Sequence, residues 1–68
     1  MSSIRINGEK KRIQAATVHD LLRAEDIDPG ARFLAVAING VVIPRGQWDS
    51  ETVREGDDIE IVRPAPGG

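Results

Sequence analysis

The sequence predicts an α+β domain: a mixed sheet of four to five short strands crossed by one short helix, with an extended C-terminal tail. Three observations carry this. The stretches "SIRIN" and "DIEIV" alternate apolar with polar residues, and in "FLAVAI" Leu34, Val36 and Ile38 alternate with Phe33, Ala35 and Ala37, which is the period of strands. The period turns helical once, where Val18, Leu21 and Leu22 fall at i, i+3 and i+4. Asn-Gly dipeptides at 7–8 and 39–40 supply the chemistry of two-residue hairpin turns.

Taken in order, Ile4 and Ile6 share one face of the first strand, and Ser3, Arg5 and Asn7 share the other. Asn7 and Gly8 accept positive φ at both central turn positions. "EKKRIQA" follows as a second strand, polar except for Ile13 and Ala15, with the charge that protects an edge from other chains. In "ATVHDLLRAED", Thr17 is the expected N-cap and Asp20 is placed to return a bond to the cap's N–H, while Ala16 and Leu21 hold hydrophobic-staple positions. Pro29 and Gly30 are read as the stop.

"FLAVAING" is expected to be the central strand because both its faces are apolar. Leu34, Val36 and Ile38 turn toward the helix, leaving Phe33, Ala35 and Ala37 as a flat face open to a partner. Asn39 and Gly40 turn the chain into "VVI", which Pro44 stops. "RGQWDSETVREGDD" is polar and irregular around Trp48 and Val53, and Gly56 with Asp57 makes a further turn. The last strand points Ile59 and Ile61 inward, Glu60 and Val62 outward. Pro64 lacks the ladder donor and releases the tail. The expected division is a domain over residues 1–63 and a tail over 64–68.

Composition narrows the function classes. A chain of 68 residues buries only ~60% of the surface its unfolded form exposes, which leaves room for one small core and argues against autonomous catalysis. Nine Lys plus Arg against eleven Asp plus Glu give a net charge of -2 with no run of either sign. Nucleic acid is not an expected partner, because phosphate binding needs a concentrated basic face. No stretch approaches the ~18 apolar residues of a membrane span, and the N-terminal residues lack an apolar leader core. No membrane and a cytoplasmic location are the expectation.

The absence of cysteine excludes disulfides, thiolate metal sites and any side-chain thiol in sulfur chemistry. His19 stands alone and reads as a solvent-facing helix residue, so no metal is expected. Asp57 and Asp58 read as turn chemistry, and Glu9 to Arg12 as a solvated face. Trp48 reads as the anchor of the long loop, with partner contact as its second role. Arg45 is suited equally to bonding loop carbonyls and to an interface.

The stretch "INGVVIPRGQWDSETVREGDDIEIV", with the final "GG", resembles the sulfur carrier proteins of thiamine biosynthesis, the ThiS family. The shared features are Asn39, the Ile43-Pro44-Arg45 run followed by Trp48, the Gly56-Asp57 turn, Ile59-Glu60-Ile61, and Gly67-Gly68. The early Asn7-Gly8 and "TVHDLL" from Thr17 to Leu22 extend the match over essentially the whole chain. The tail "RPAPGG" is stiffer than is common in the family, and Val53 stands where Leu is usual.

This resemblance implies the β-grasp, ubiquitin-like fold, with the first and last strands paired at the sheet's centre. It implies an E1-like adenylyltransferase of the ThiF type, which uses ATP to convert the Gly68 carboxylate to an acyl-adenylate. A persulfide sulfur donor then yields a terminal thiocarboxylate. A thiazole synthase of the ThiG type takes that sulfur into a ring built from a deoxyxylulose phosphate and a glycine-derived imine. The protein is then a co-substrate rather than an enzyme, with no bound cofactor of its own.

The tail suits that role physically. A carboxylate is a poor acyl donor, and adenylation removes both its charge and its bad leaving group. Gly67 and Gly68 have no Cβ, so the last peptide fits a narrow channel. Pro64 and Pro66 favour an extended arm, and five residues beyond Arg63 reach roughly 16 Å. Pro66 and Gly67 are the residues expected to enter partner sites, with Gly68 the modified one. Phe33, Ala35, Ala37, Arg45 and Trp48 are the candidate partner-binding residues. Two other classes stay open: a thiocarboxylate carrier for molybdopterin or cysteine synthesis, and a β-grasp protein-binding module or conjugated modifier. The I-P-R-x-x-W element favours the thiamine line.

Overall fold

The computed structural model describes residues 2–63. Strands β1 (Ser2–Ile6) and β2 (Glu9–Ile13) form a hairpin, followed by helix α1 (Val18–Ala24). A second hairpin joins β3 (Ala35–Ile38) to β4 (Val41–Ile43); a 3-10 turn at Arg45–Gln47 and a loop then lead to β5 (Asp58–Val62). The five strands form one sheet in the order β2-β1-β5-β3-β4. β5 runs parallel to β1 and antiparallel to β3. The first and last strands thus lie side by side at the centre, with one helix packed on one face, which is the β-grasp arrangement.

The core follows from the two periods. Ile4 and Ile6 of β1, Val36 and Ile38 of β3, and Ile59 and Ile61 of β5 point to one face. Val18, Leu21 and Leu22, all fully buried, meet them from α1. Each such side chain contributes about 1.5–3 kcal/mol on burial. Ile27, Leu34, Ile43, Trp48 and Val53 close the rim.

The strand in "FLAVAING" is internal but not central, since β5 holds the middle position. The polar outer face of β5 makes it read like a half-solvated strand, and alternation carries no information about which distant strand lies on either side. β3 also begins only at Ala35. Phe33 stands before it with φ 59, which no strand residue adopts.

Both Asn-Gly turns form as expected, with positive φ at Asn7 (50), Gly8 (85), Asn39 (51) and Gly40 (83). Their asparagines do more than turn the chain. β1 ends at Ile6, so no β1 residue faces the N–H and C=O of Ile61 across the parallel ladder. The Asn7 side chain replaces it: Oδ1 accepts from the Ile61 N–H at 2.8 Å and Nδ2 donates to the Ile61 carbonyl at 3.1 Å. On the other side of β5, Asn39 Oδ1 accepts from the Asp58 N–H at 3.0 Å, while the Asn39 N–H donates to the Asp58 carbonyl at 2.8 Å.

The helix starts where the sequence places it. Thr17 Oγ1 accepts from the Asp20 N–H at 3.2 Å. The other donors of the first turn find the long loop: the Val18 N–H bonds the Glu51 carbonyl and the His19 N–H bonds the Trp48 carbonyl. Ala16 is exposed, so it does not staple Leu21, which packs into the core instead. Asp20 makes no return bond to the cap among the described residues.

The helix stops earlier than Pro29 and by a different device. Asp26 adopts φ 62, its N–H bonds the Arg23 carbonyl, and the Ile27 N–H bonds the Leu22 carbonyl at 2.8 Å. This is a Schellman closure with the buried Ile27–Leu22 contact that accompanies it. The expected cue is glycine, and aspartate at that position hid it. Near this end Lys11 of β2 bonds Glu25 at 2.8 Å, so one charge of the edge strand ties sheet to helix. That bond and the Glu25 charge raise the Lys11 pKa.

Replacing Asn7 with glycine keeps the turn but strips Ile61 of two bonds, each worth about 1 kcal/mol net. Asn7→Gly should lower stability by about 1–2 kcal/mol after the relief of positive φ at residue 7. An unchanged urea midpoint would show that the side-chain clamp contributes no more than the relief of backbone strain at residue 7. Asp26→Gly should act oppositely and raise stability by about 0.5–1 kcal/mol. A lower midpoint for that variant would mean that aspartate serves some purpose beyond the turn.

Candidate docking face and the root of the tail

The face of the sheet away from α1 is assembled by register. Ala35 of β3 lies opposite Val62 of β5, and Ala37 lies between Glu60 of β5 and Val42 of β4. Val42 is 69% exposed and Val62 60%. Two alanines flanked by two exposed valines make a low apolar strip across three strands. Arg5, paired in register with Asp58, borders it on the β1 side. Because β5 runs antiparallel to β3, the strip ends at Val62, next to Arg63, where the chain leaves the sheet.

Of the three residues expected on this face, the structure places two there. Ala35 and Ala37 lie on it, but Phe33 does not continue its alternation. Phe33 sits in the turn that precedes β3, 80% exposed. Val42 and Val62 were not among the expected docking residues. They are brought to Ala37 and Ala35 by cross-strand pairing, which a period of two along one strand cannot reveal.

Trp48 is 3% exposed, and its indole Nε1 donates to the Ile43 carbonyl at 2.9 Å. It anchors the long loop in the core, as its first reading has it, and offers almost no surface to a partner. Arg45 donates from one guanidinium nitrogen to the Pro29 carbonyl and from the other to the Ala31 carbonyl. Its guanidinium also lies 4.6 Å from the Trp48 ring centroid. The planar fork thus pins the 29–31 segment to the 3-10 turn while remaining exposed.

Asp57 is a turn residue: its Oδ2 accepts from the Arg54 N–H at 2.8 Å and its Oδ1 from Asn39 Nδ2 at 3.1 Å. His19 is half-buried rather than solvent-facing, because the long loop bonds the backbone around it. Among the described residues no three His, Asp or Glu side chains cluster as metal ligands, and no helix is long and apolar enough to cross a membrane. Pro64, Pro66, Gly67 and Gly68 lie outside the described residues. What the described face can do chemically is recognise a flat apolar surface beside the point where the chain departs.

Lysine cannot reproduce a two-carbonyl fork stacked on an indole. Arg45→Lys should therefore lower stability by about 1 kcal/mol and speed amide exchange in residues 30–33. Unchanged exchange there would show that the pin does not hold the segment.

The ThiS family profile matches residues 4–68. The Sulfur carrier protein ThiS of Escherichia coli (strain K12) is 40% identical over 52 residues, 76% of each chain. The crystal structure of the thiamine biosynthesis protein (ThiS) from Geobacter metallireducens superposes with a TM-score of 0.78 at 30% identity, covering 97% of this chain and 99% of that one. The NMR solution structure of the Geobacter metallireducens thiamine biosynthesis protein gives the same TM-score and identity, with 97% and 87% covered. With the match running from Ile4, the first buried strand residue, through the glycine pair, and with the β-grasp sheet beneath it, this chain belongs to the ThiS family.

Proposed function

We propose that this protein is the sulfur carrier of thiamine biosynthesis and that its Gly68 carboxylate holds the sulfur. The observation that carries the reading is the family match, which extends through Gly67 and Gly68 over a fold whose central strand leads directly toward them. The protein acts as a co-substrate. The reactive group is a backbone carboxylate, and no side chain of the fold needs to take part in the chemistry.

The steps follow from acyl chemistry. The Gly68 carboxylate oxygen attacks the α-phosphorus of ATP in an E1-like adenylyltransferase of the ThiF type, and pyrophosphate leaves. A persulfide sulfur displaces AMP from the acyl carbon. A thiol then cleaves the new sulfur–sulfur bond reductively, leaving the thiocarboxylate. A thiazole synthase of the ThiG type receives that sulfur. Both partners must admit a thin chain while the globular body stays outside. Pro66 and Gly67 enter, with no side chain at residue 67 to obstruct the carbonyl. Ala35, Ala37, Val42 and Val62 supply the flat contact beside the tail's root, while exposed Arg45, stacked on buried Trp48, fixes the 29–31 segment.

The test is intact mass with C-terminal fragmentation of protein purified from cells that overproduce the adenylating partner. Exchange of oxygen for sulfur adds nearly the mass of one oxygen, as oxidation of Met1 does, so fragment ions must place it. Sulfur on Gly68, and none on a chain lacking that residue, is the expected result. An unmodified Gly68 beside a demonstrably active partner and ATP would return the protein to the binding-module class.

A further inference from the structure

Phe33 is the most exposed large apolar side chain among the described residues, at 80%, and its backbone is left-handed at φ 59. Both features are unfavourable for an isolated molecule. A bulky residue in that region carries strain that glycine would avoid, and the ring gains no burial in return. Such strain persists only where the surroundings impose it. Here they do. Arg45 holds the carbonyls of Pro29 and Ala31, and the Gly30 N–H bonds Asp28 Oδ1 at 2.9 Å while the Ala31 N–H bonds the Asp28 carbonyl at 3.0 Å. A stiffened turn thus presents an aromatic ring to solvent.

Its position identifies what the ring meets. Ala35 pairs with Val62, the last residue of β5. Phe33, two residues before Ala35, therefore stands at the end of the sheet from which the chain leaves for residues 64–68. The same end carries Arg32, Arg45 and Arg63, all exposed, on a chain of net charge -2. Any protein that receives the tail in a channel brings the channel's mouth against this corner.

We propose that Phe33, flanked by Arg32, is an anchor that seats in an apolar pocket with a carboxylate-bearing rim at the mouth of the partner site that takes the tail. The proposal rests on the carrier reading and adds a contact separate from the alanine and valine strip. Aromatic residues seated in desolvated pockets dominate interface energetics, and rim arginines speed association with an acidic surface. Arg45 acts through the turn as a positioning residue.

The test is surface plasmon resonance of full-length protein against the adenylating enzyme and, separately, the thiazole synthase, together with thermal unfolding of the carrier alone. Phe33→Gly should raise Kd about tenfold or more for a tail-receiving partner while leaving Tm unchanged or higher, because glycine accepts the backbone. Arg32→Glu should slow association and flatten its dependence on salt. An unchanged Kd for Phe33→Gly with a partner that binds the wild type overturns the anchor and leaves the carrier reading intact. A lower Tm for Phe33→Gly assigns the residue to the fold and overturns it equally. Wild-type protein that binds neither enzyme overturns the carrier reading, and the anchor with it.

Discussion

β5 is last in sequence and middle in space, and the rest of the sheet depends on its insertion between β1 and β3. Without it the two hairpins share no ladder, and a lone two-stranded hairpin is at best marginal in water. Each hairpin buries its apolar face only when Ile59 and Ile61 lie between Ile4 and Ile6 on one side and Val36 and Ile38 on the other. The asparagines of both turns bond β5 directly, so the residues that reverse each hairpin also fasten it to the strand they share. Turn and clamp are one residue, and glycine would serve only the first purpose.

That arrangement fixes the root of the tail. Val62 is held in register with Ala35, and one residue earlier Ile61 is gripped by Asn7 from the opposite side. A central strand cannot peel from the sheet without breaking ladders on both flanks, so the segment leading to residues 64–68 departs from the best-supported element of the domain. Position and direction at Arg63 are therefore properties of the whole fold. On the proposed carrier reading, a tail that enters a partner's site needs a located base, since angular play at the base is multiplied along the chain beyond it.

Much of this was legible in the sequence, and the parts that were not share one physical character. Strand and helix periods, the Thr17 cap and both Asn-Gly turns are local, and each lies within a few residues of the atoms it organises. The central place of β5 and the company of Val42 and Val62 at the candidate docking face depend on pairing between distant segments, to which alternation is blind. Two local features also escaped, both at non-glycine residues with left-handed backbone. Asp26 closes the helix and Phe33 breaks the apparent run of "FLAVAI". Pattern reading assigns positive φ to glycine and asparagine, so an aspartate or a phenylalanine there leaves no mark. The glycine pair at 67–68 could be read for its chemistry, the absence of a Cβ, and lies outside the described residues.

The two sheet edges divide the labour in a way that bears on recognition. β2 is an edge rich in charge, with Lys11 tied back to Glu25. β4 carries Val41 and Val42 largely exposed and no charge of its own. A domain that left both edges apolar would invite pairing with its own copies, and one that charged both would lose its flat contact surface. With the charge on one edge and the apolar valines on the other, one side is repellent and one side adhesive. The adhesive edge is short, only three residues, which limits the ladder that a stray strand can form there. On the proposed reading, partner contact depends on side chains across the face, where the alanines admit close approach and specificity is set by the residues that surround them.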